Sequence, residues 1–262
     1  MMRFTVNRSF RWCGVLWLVW LTAVVPAGAQ SEDPLRFIRW PVGDVLSAPR
    51  SMLTLRAGLT LGVAAGGILA ASHFDRGFSH RAERLEDVTP NRVRKVFHEL
   101  GNVNVIRPMA AVVFVGALTS SNIHFQDAAF TSLESIIFAN LLANGLKLVI
   151  GRARPHENAG PNSVKPFSGS RSFPSGHATT VFAFTTPWIF YYPGVASGAL
   201  FALGLGTAVA RMADQYHWFS DVLGGAFVGF GVGYLLSRRH QRLSRVPSLS
   251  LSVNGFSLTW RL

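Results

Sequence analysis

Apolar residues in this chain gather into long runs at about 53–73, 104–121, 127–149, 178–192, 195–211 and 217–237. Most of these runs approach the roughly 20 residues that a helix needs to cross a bilayer. Their Gly and Ala content lets neighbouring helices approach closely in lipid. The pattern predicts an all-α fold, a polytopic helical membrane bundle of about six apolar helices occupying 53–240. Residues 30–52, with Trp40 and several prolines, read as an interfacial or loop segment. Arg56, Arg107, Asp127, Glu134 and Lys147 interrupt the runs. Charges in lipid are expensive, so each is expected at an interface or facing the bundle interior. Snorkelling at a helix end suits Arg56, Arg107 and Asp127, whereas Glu134 is expected to have a buried partner.

The two ends of the chain differ from this pattern. Residues 1–29 read as a secretory signal, with Arg3, Arg8 and Arg11 leading an apolar core and Ala27-Gly28-Ala29 as the cleavage site. Cys13 is the only cysteine, so a processed chain would have no thiol and no disulfide. Residues 247–262 read as a C-terminal β-hairpin turning at Asn254-Gly255. In the expected register Val253 opposes Phe256, Leu251 opposes Leu258 and Leu249 opposes Trp260, which puts the apolar positions on one face.

Composition agrees with a membrane protein: 49% of residues are hydrophobic and 15% charged, against about 25% charged in soluble domains. The 25 Lys and Arg against 13 Asp and Glu give a net charge of +12. No stripe of interleaved basic and aromatic residues accompanies that charge, so nucleic acid is not the expected partner. Anionic membrane surfaces and phosphorylated substrates remain.

Three clusters combine phosphate-binding cations with proton-transfer groups. In the first, Lys147 and Arg154 are seven residues apart, two helical turns, and Pro155 is expected to stop the helix. The second is Pro174-Ser175-Gly176-His177 at the head of an apolar run. A helix N-terminus there offers unpaired N–H groups to an anion, and Gly176 permits close backbone approach. In the third, Arg211 precedes His217 and Asp221. The last two are expected one turn apart, with the carboxylate on Nδ1 leaving Nε2 as a nucleophile. Arg211 supplies a bidentate fork for phosphate oxygens.

Together these positions resemble the three-part signature of the phosphatidic acid phosphatase type 2 superfamily: Lys-x6-Arg-Pro, Pro-Ser-Gly-His and Ser-Arg-x5-His-x3-Asp. One position departs from it, because Ala210 stands where the family has Ser. The resemblance implies metal-independent hydrolysis of a lipid phosphate or diphosphate through a phosphohistidine, with no cofactor. It assigns the nucleophile to His217, its orientation to Asp221, and acid–base work to His177. Lys147, Arg154, Ser175, Gly176 and Arg211 would hold the phosphate. A zinc ion on His177, His217 and Asp221 is conceivable by residue type, but Lys147, Arg154 and Arg211 would repel it. The alternatives are a vanadate-dependent haloperoxidase-like oxidoreductase and a non-catalytic phospholipid-binding protein.

The expected location is a bacterial inner membrane or cell envelope. Basic residues cluster at 74–103 and after the last apolar run, and the positive-inside rule puts both clusters in the cytoplasm. If 104–121 does not fully cross, both can lie there while the loops 150–177 and 211–217 face the periplasm or exterior.

Overall fold

Polar side chains at the heads of the apolar runs set where several helices begin. Thr54, Asn102 and Asn122 each accept a backbone N–H from two or three residues downstream, at 3.0–3.1 Å. Such caps satisfy donors that the first helical turn leaves unpaired. The computed structural model describes residues 35–88, 102–244, 248–252 and 255–259. Its helices are α1 (Arg36–Met52), α2 (Leu55–Ser72), α3 (Asp75–Val88), α4 (Val103–Ala117) and α5 (Ile123–Ile150). A 3₁₀ turn (Pro155–Glu157) follows, then α6 (Gly176–Tyr191), α7 (Val195–Ala213) and α8 (Phe219–Leu243).

The chain is a mostly helical membrane protein. Among the described residues four helices, α2, α5, α7 and α8, are long and apolar enough to cross a membrane. The expected runs at 104–121 and 178–192 give shorter helices, α4 with 15 residues and α6 with 16. The expected signal at 1–29 lies outside the described residues, as do Asn254 and Trp260 of the expected hairpin. Two short strands, β1 (Ser248–Ser252) and β2 (Gly255–Thr259), pair antiparallel with Leu249 opposite Leu258 and Leu251 opposite Phe256. That register is two residues away from the expected one, with Ser252 opposite Gly255 instead of Val253 opposite Phe256.

Helices α5, α6 and α8 form the centre of the bundle. Small residues bring α6 and α8 together: a Cβ on Gly225 would overlap the Ser175 carbonyl, and one on Gly229 the Thr179 carbonyl. At Gly233 a Cβ would stand 2.8 Å from Thr186 Cβ. Backbones this close gain dispersion contacts that do not depend on water, which is how helices associate in lipid. On the α4 side, Ile106, Ala110, Val113, Phe125, Ile136, Phe184 and Trp188 fill the core. Leu59, Leu61 and Val63 of α2 are exposed, as lipid-facing residues should be.

The segment expected as interfacial or loop holds helix α1, whose Arg36 and Asp44 are buried in the protein. Arg36 Nε donates to Asp127 Oδ1 at 2.8 Å, and Arg36 Nη2 to Gln126 Oε1 at 2.6 Å. Asp127 is therefore a buried ion-pair partner instead of a snorkelling residue. Arg107 likewise donates to Asn140 Oδ1 at 2.9 Å. Glu134 lies beside His240, with Oε2 3.5 Å from Nε2.

The expected arrangement of basic clusters about the membrane is also revised. Asp75, at the head of α3, pairs with Arg152, and Ser79 donates to Gln215 Oε1 at 2.6 Å. Arg76, Arg81 and Arg84 of α3 therefore follow a segment docked at the end of the bundle that carries residues 150–177 and 211–217.

The α6–α8 contact makes a paired test possible. Gly229→Ala should lower the detergent melting temperature by several degrees, because the added methyl meets backbone on both flanks. Gly231→Ala, with open space around its Cβ, should leave it unchanged or slightly raised. Equal effects of the two substitutions in thermal unfolding would contradict the close packing.

Candidate active site

Four helix ends converge on one face of the bundle: the C-termini of α5 and α7 and the N-termini of α6 and α8. Helix α5 ends at Ile150 because Gly151 takes a left-handed conformation (φ 59°, ψ 45°) and donates to the Lys147 carbonyl at 3.0 Å. A side chain at 151 would run into the Lys165 carbonyl, so only glycine fits. The helix thus stops five residues before Pro155, which instead opens the 3₁₀ turn. Lys147 and Arg154 do not share a helix face as their spacing predicted. Lys147 lies in the last helical turn, and Arg154 lies beyond it in extended backbone (φ −85°, ψ 160°).

The extended segment nevertheless brings the signature residues together. Lys147 Nζ donates to the carbonyls of Arg171 (3.1 Å) and Pro174, which ties the first cluster to the second. Ser175 caps α6 and accepts from the Ala178 N–H at 3.5 Å, while its own N–H donates to the Asp221 carbonyl at 2.9 Å. The Ser175 hydroxyl is fully buried as a cap. Gly176 and His177 form the first turn of α6, with His177 partly buried. A Cβ at Gly176 would come 3.8 Å from Lys147 Cε, so the helix mouth opens beside that ammonium.

His217 precedes α8 instead of standing inside its first turn, since Trp218 is the N-cap (φ −71°, ψ 159°). It is 4% exposed, and its Nδ1 is 3.8 Å from Asp221 Oδ2. That is longer than a hydrogen bond, although such catalytic contacts commonly tighten around the reacting group. Burial pulls the imidazole pKa below 6.5; Asp221 opposes the shift and the Lys147 and Arg154 charges add to it. A neutral ring with an available lone pair is the result. Buried Arg211 completes the rim, its guanidinium 4.3 Å above the Tyr216 ring and its Nε without a hydrogen-bond partner. Arg154 approaches the same ring at 5.8 Å. The substitution site Ala210 is buried in the adjacent turn.

Asp221 is fixed by groups the sequence reading did not single out. Oδ1 accepts from Arg152 Nη1 at 2.7 Å, while Oδ2 accepts from the Ser172 hydroxyl and, at 2.9 Å, from the Trp218 N–H. Arg152 Nη2 also donates to Asp75 Oδ2 at 2.7 Å, and its Nε to the Pro161 carbonyl at 2.8 Å. Asp75 in turn accepts the Ser220 N–H and hydroxyl at 2.9 and 2.7 Å. Arg152 sits inside the first cluster, and its cationic type was the only available signal. Its carboxylate partners lie 69 and 77 residues away.

The PAP2 superfamily profile matches residues 128–245, a span that includes Lys147, Arg154, Ser175, His177, Arg211, His217 and Asp221. Over residues 128–245 the chain is similar to the PAP2 superfamily. The chain is 35% identical over 133 residues to a lipid A 1-phosphatase of Rhizobium etli, covering 49% of this chain and 56% of that one. It is 39% identical over 133 residues to a lipid A 1-phosphatase of Rhizobium johnstonii, covering 49% and 53%. The chain thus spans little more than half the length of these curated relatives. In fold it is similar to a transmembrane PAP2-type phosphatidylglycerolphosphate phosphatase of Bacillus subtilis. The TM-score is 0.50 at 17% identity, over 80% of this chain and 98% of that one.

Removing Arg152 would leave two buried carboxylates unpaired. Arg152→Met should destabilise the protein by about 3 kcal/mol, in the range for a broken buried ion pair. Asp75→Asn keeps its hydrogen-bonding shape and should cost less. Thermal unfolding of the two variants in detergent checks the order, and an Arg152→Met melting curve matching wild type would disprove the role of the network.

Proposed function

We propose that this protein hydrolyses the phosphate or diphosphate of a membrane lipid through a phosphohistidine on His217, without a metal ion. The observation that carries the proposal is the buried, neutral His217, backed by Asp221 and rimmed by Lys147, Arg154 and Arg211. Candidate substrates are polyprenyl diphosphate, phosphatidylglycerol phosphate, phosphatidate and a lipid A phosphate. The names of the Rhizobium relatives favour the lipid A phosphate.

In this reading Nε2 of His217 attacks phosphorus in line while Asp221 holds Nδ1–H and stabilises the charge that develops on the ring. The bond to the leaving oxygen breaks as His177 gives that oxygen a proton. Neutral His177 then takes a proton from water, whose oxygen attacks phosphorus and breaks the P–N bond. Nε2 recovers its lone pair, and inorganic phosphate leaves. Lys147, Arg154, Arg211 and the N–H groups at the head of α6 bind the phosphoryl oxygens and offset charge in the transition state. With Ala210 in place of Ser, these donors work without that hydroxyl.

Phosphate release from the four candidate lipids by detergent-purified protein tests this directly. Release should continue in EDTA and fall at least about 1,000-fold in His217→Ala, as expected when a nucleophile is lost. A neutral ring is the reactive form and its pKa lies below 6.5. The acid limb of kcat/KM should therefore fall below about pH 6.5, the ordinary histidine value. Loss of all release in EDTA, or an unimpaired His217→Ala, would refute the mechanism.

The catalytic face is proposed to lie on the periplasmic or outer side. Support comes from Arg238, Arg239 and Arg242 at the far end of α8, which suit a cytoplasmic surface. Single cysteines at Ser163 and Ser79 should both react with an impermeant maleimide in intact cells whose outer membrane is permeabilised. Reaction only after the inner membrane is opened would reverse the orientation.

A further inference from the structure

About 28 Å along α8 from Asp221, at 1.5 Å per residue, three helices each send one side chain to a common buried point. They are Asp44 of α1, Glu134 of α5 and His240 of α8, and their ligand-type atoms all lie within 4.8 Å of one another. The hydrogen bonds around His240 fix which of its nitrogens faces the others. Nδ1 is 2.8 Å from Thr131 Oγ1, and that hydroxyl donates to the Asp127 carbonyl at 2.6 Å. Thr131 must therefore accept from Nδ1–H, which leaves Nε2 directed at the carboxylates. Nε2 is 2.9 Å from Asp44 Oδ2 and 3.5 Å from Glu134 Oε2.

Glu134 is the least satisfied group at this point. It is 3% exposed, and neither of its carboxylate oxygens has a hydrogen-bond partner. A buried carboxylate without partners is costly. A proton on Nε2 serves Asp44, the nearer acceptor, and a second proton between Glu134 and Asp44 would be needed to satisfy Glu134 without a metal. A divalent cation instead satisfies all three groups at once. Zinc held tetrahedrally at 2.0–2.2 Å spaces its ligands roughly 3.4 Å apart, and the observed 2.9 and 3.5 Å bracket that value. The second Glu134 oxygen is available for bidentate binding or for orienting a water in the fourth position.

The surroundings also match a metal centre. Ligating histidines characteristically donate their other ring N–H, and ligating carboxylates are themselves held. Thr131 takes the His240 Nδ1–H, and Arg239 Nε pairs with Asp44 Oδ1. Trp40 stacks on the His240 ring at 4.2 Å and 25°. A metal that displaces the protons of Asp44 and Glu134 would meet two carboxylate charges and the Arg239 cation, one net negative charge in all, which suits a divalent ion.

We propose that Asp44, Glu134 and His240 bind a divalent transition-metal ion, with zinc the best match to their donors, as a clamp fastening α1 to the bundle. Imidazole with carboxylate suits zinc and its neighbours better than magnesium or calcium. The ion takes no part in the chemistry at His217, which lies at the opposite end of α8.

The test uses the full chain in detergent, stripped with EDTA and then titrated with zinc(II) or cobalt(II). Wild type should retain about one zinc per chain through gel filtration, as a single site requires, and its melting temperature should rise. Cobalt should give the visible absorption of a four-coordinate site. Glu134→Gln and His240→Gln preserve shape, and in each bound zinc should drop at least about tenfold and the thermal shift disappear. Phosphate release should be unaffected by zinc removal, so failure here is separable from failure of the phosphatase reading. Folded wild type that retains no zinc would overturn the site in favour of protons shared among His240, Asp44 and Glu134. Zinc retention by both variants at the wild-type level would overturn it as well, by placing the ion on other residues.

Discussion

The catalytic end of the protein depends on one buried carboxylate. Under the proposed mechanism Asp221 must stay ionised to orient His217, yet it is fully excluded from solvent. Burial alone would favour its protonated form. Arg152, Ser172 and the Trp218 N–H offset that tendency by filling its lone-pair positions. Arg152 can do so because Asp75 balances its remaining charge. The network also has a mechanical effect, since Asp75 begins α3, Arg152 follows α5, Ser172 precedes α6 and Asp221 begins α8. Fixing the charge of one residue thereby fixes the relative positions of four elements around the pocket.

The same network separates two kinds of arginine in neighbouring positions. Arg152 is neutralised by carboxylates on both edges, so it has structural work and little charge left for a ligand. Arg154 and Arg211 approach the Tyr216 ring, an arrangement that holds guanidinium planes without consuming all their donors. Arg211 pairs more loosely, with Asp214 at 3.6 Å, and its Nε has no hydrogen-bond partner, so more of its fork is open to an anion than that of Arg152.

Which parts of this were legible in the sequence follows from the range of the interactions. The helices were legible because apolar runs are local, and the signature residues because Lys147, Arg154, His177, Arg211, His217 and Asp221 are chemically conspicuous at short spacings. The end of α5 was misplaced because Pro155 is the stronger sequence signal, whereas Gly151 acts through a tertiary collision with the Lys165 carbonyl. The Asp75–Arg152 pair spans 77 residues, and no local pattern announces it. Helix α1 was hidden differently. Arg36, Trp40 and Asp44 recur every four residues and share one face, but that face is a mixture of charge and aromatic ring, and the prolines beside it read as a break. A hydrophobic template does not register a face that docks through ion pairs.

That polar face changes how α1 must be held. Apolar helices in lipid associate by close packing, and α6 and α8 do so through Gly225, Gly229 and Gly233. Helix α1 lacks such a stripe and is tied by Arg36 to Asp127, by Asp44 to Arg239 and His240, and by Ser47 to Arg239. Ionic ties in a low-dielectric setting are directional, and each is costly if left incomplete. They specify one seating of α1 more sharply than apolar contact would, and they place every partner on α5 or α8. Those two helices also carry Lys147 and Asp221 at their other ends. The bundle thus uses one pair of long helices twice, with a polar anchor toward one end and the candidate phosphate site at the other, and the apolar span between them keeps the two sets of charges apart.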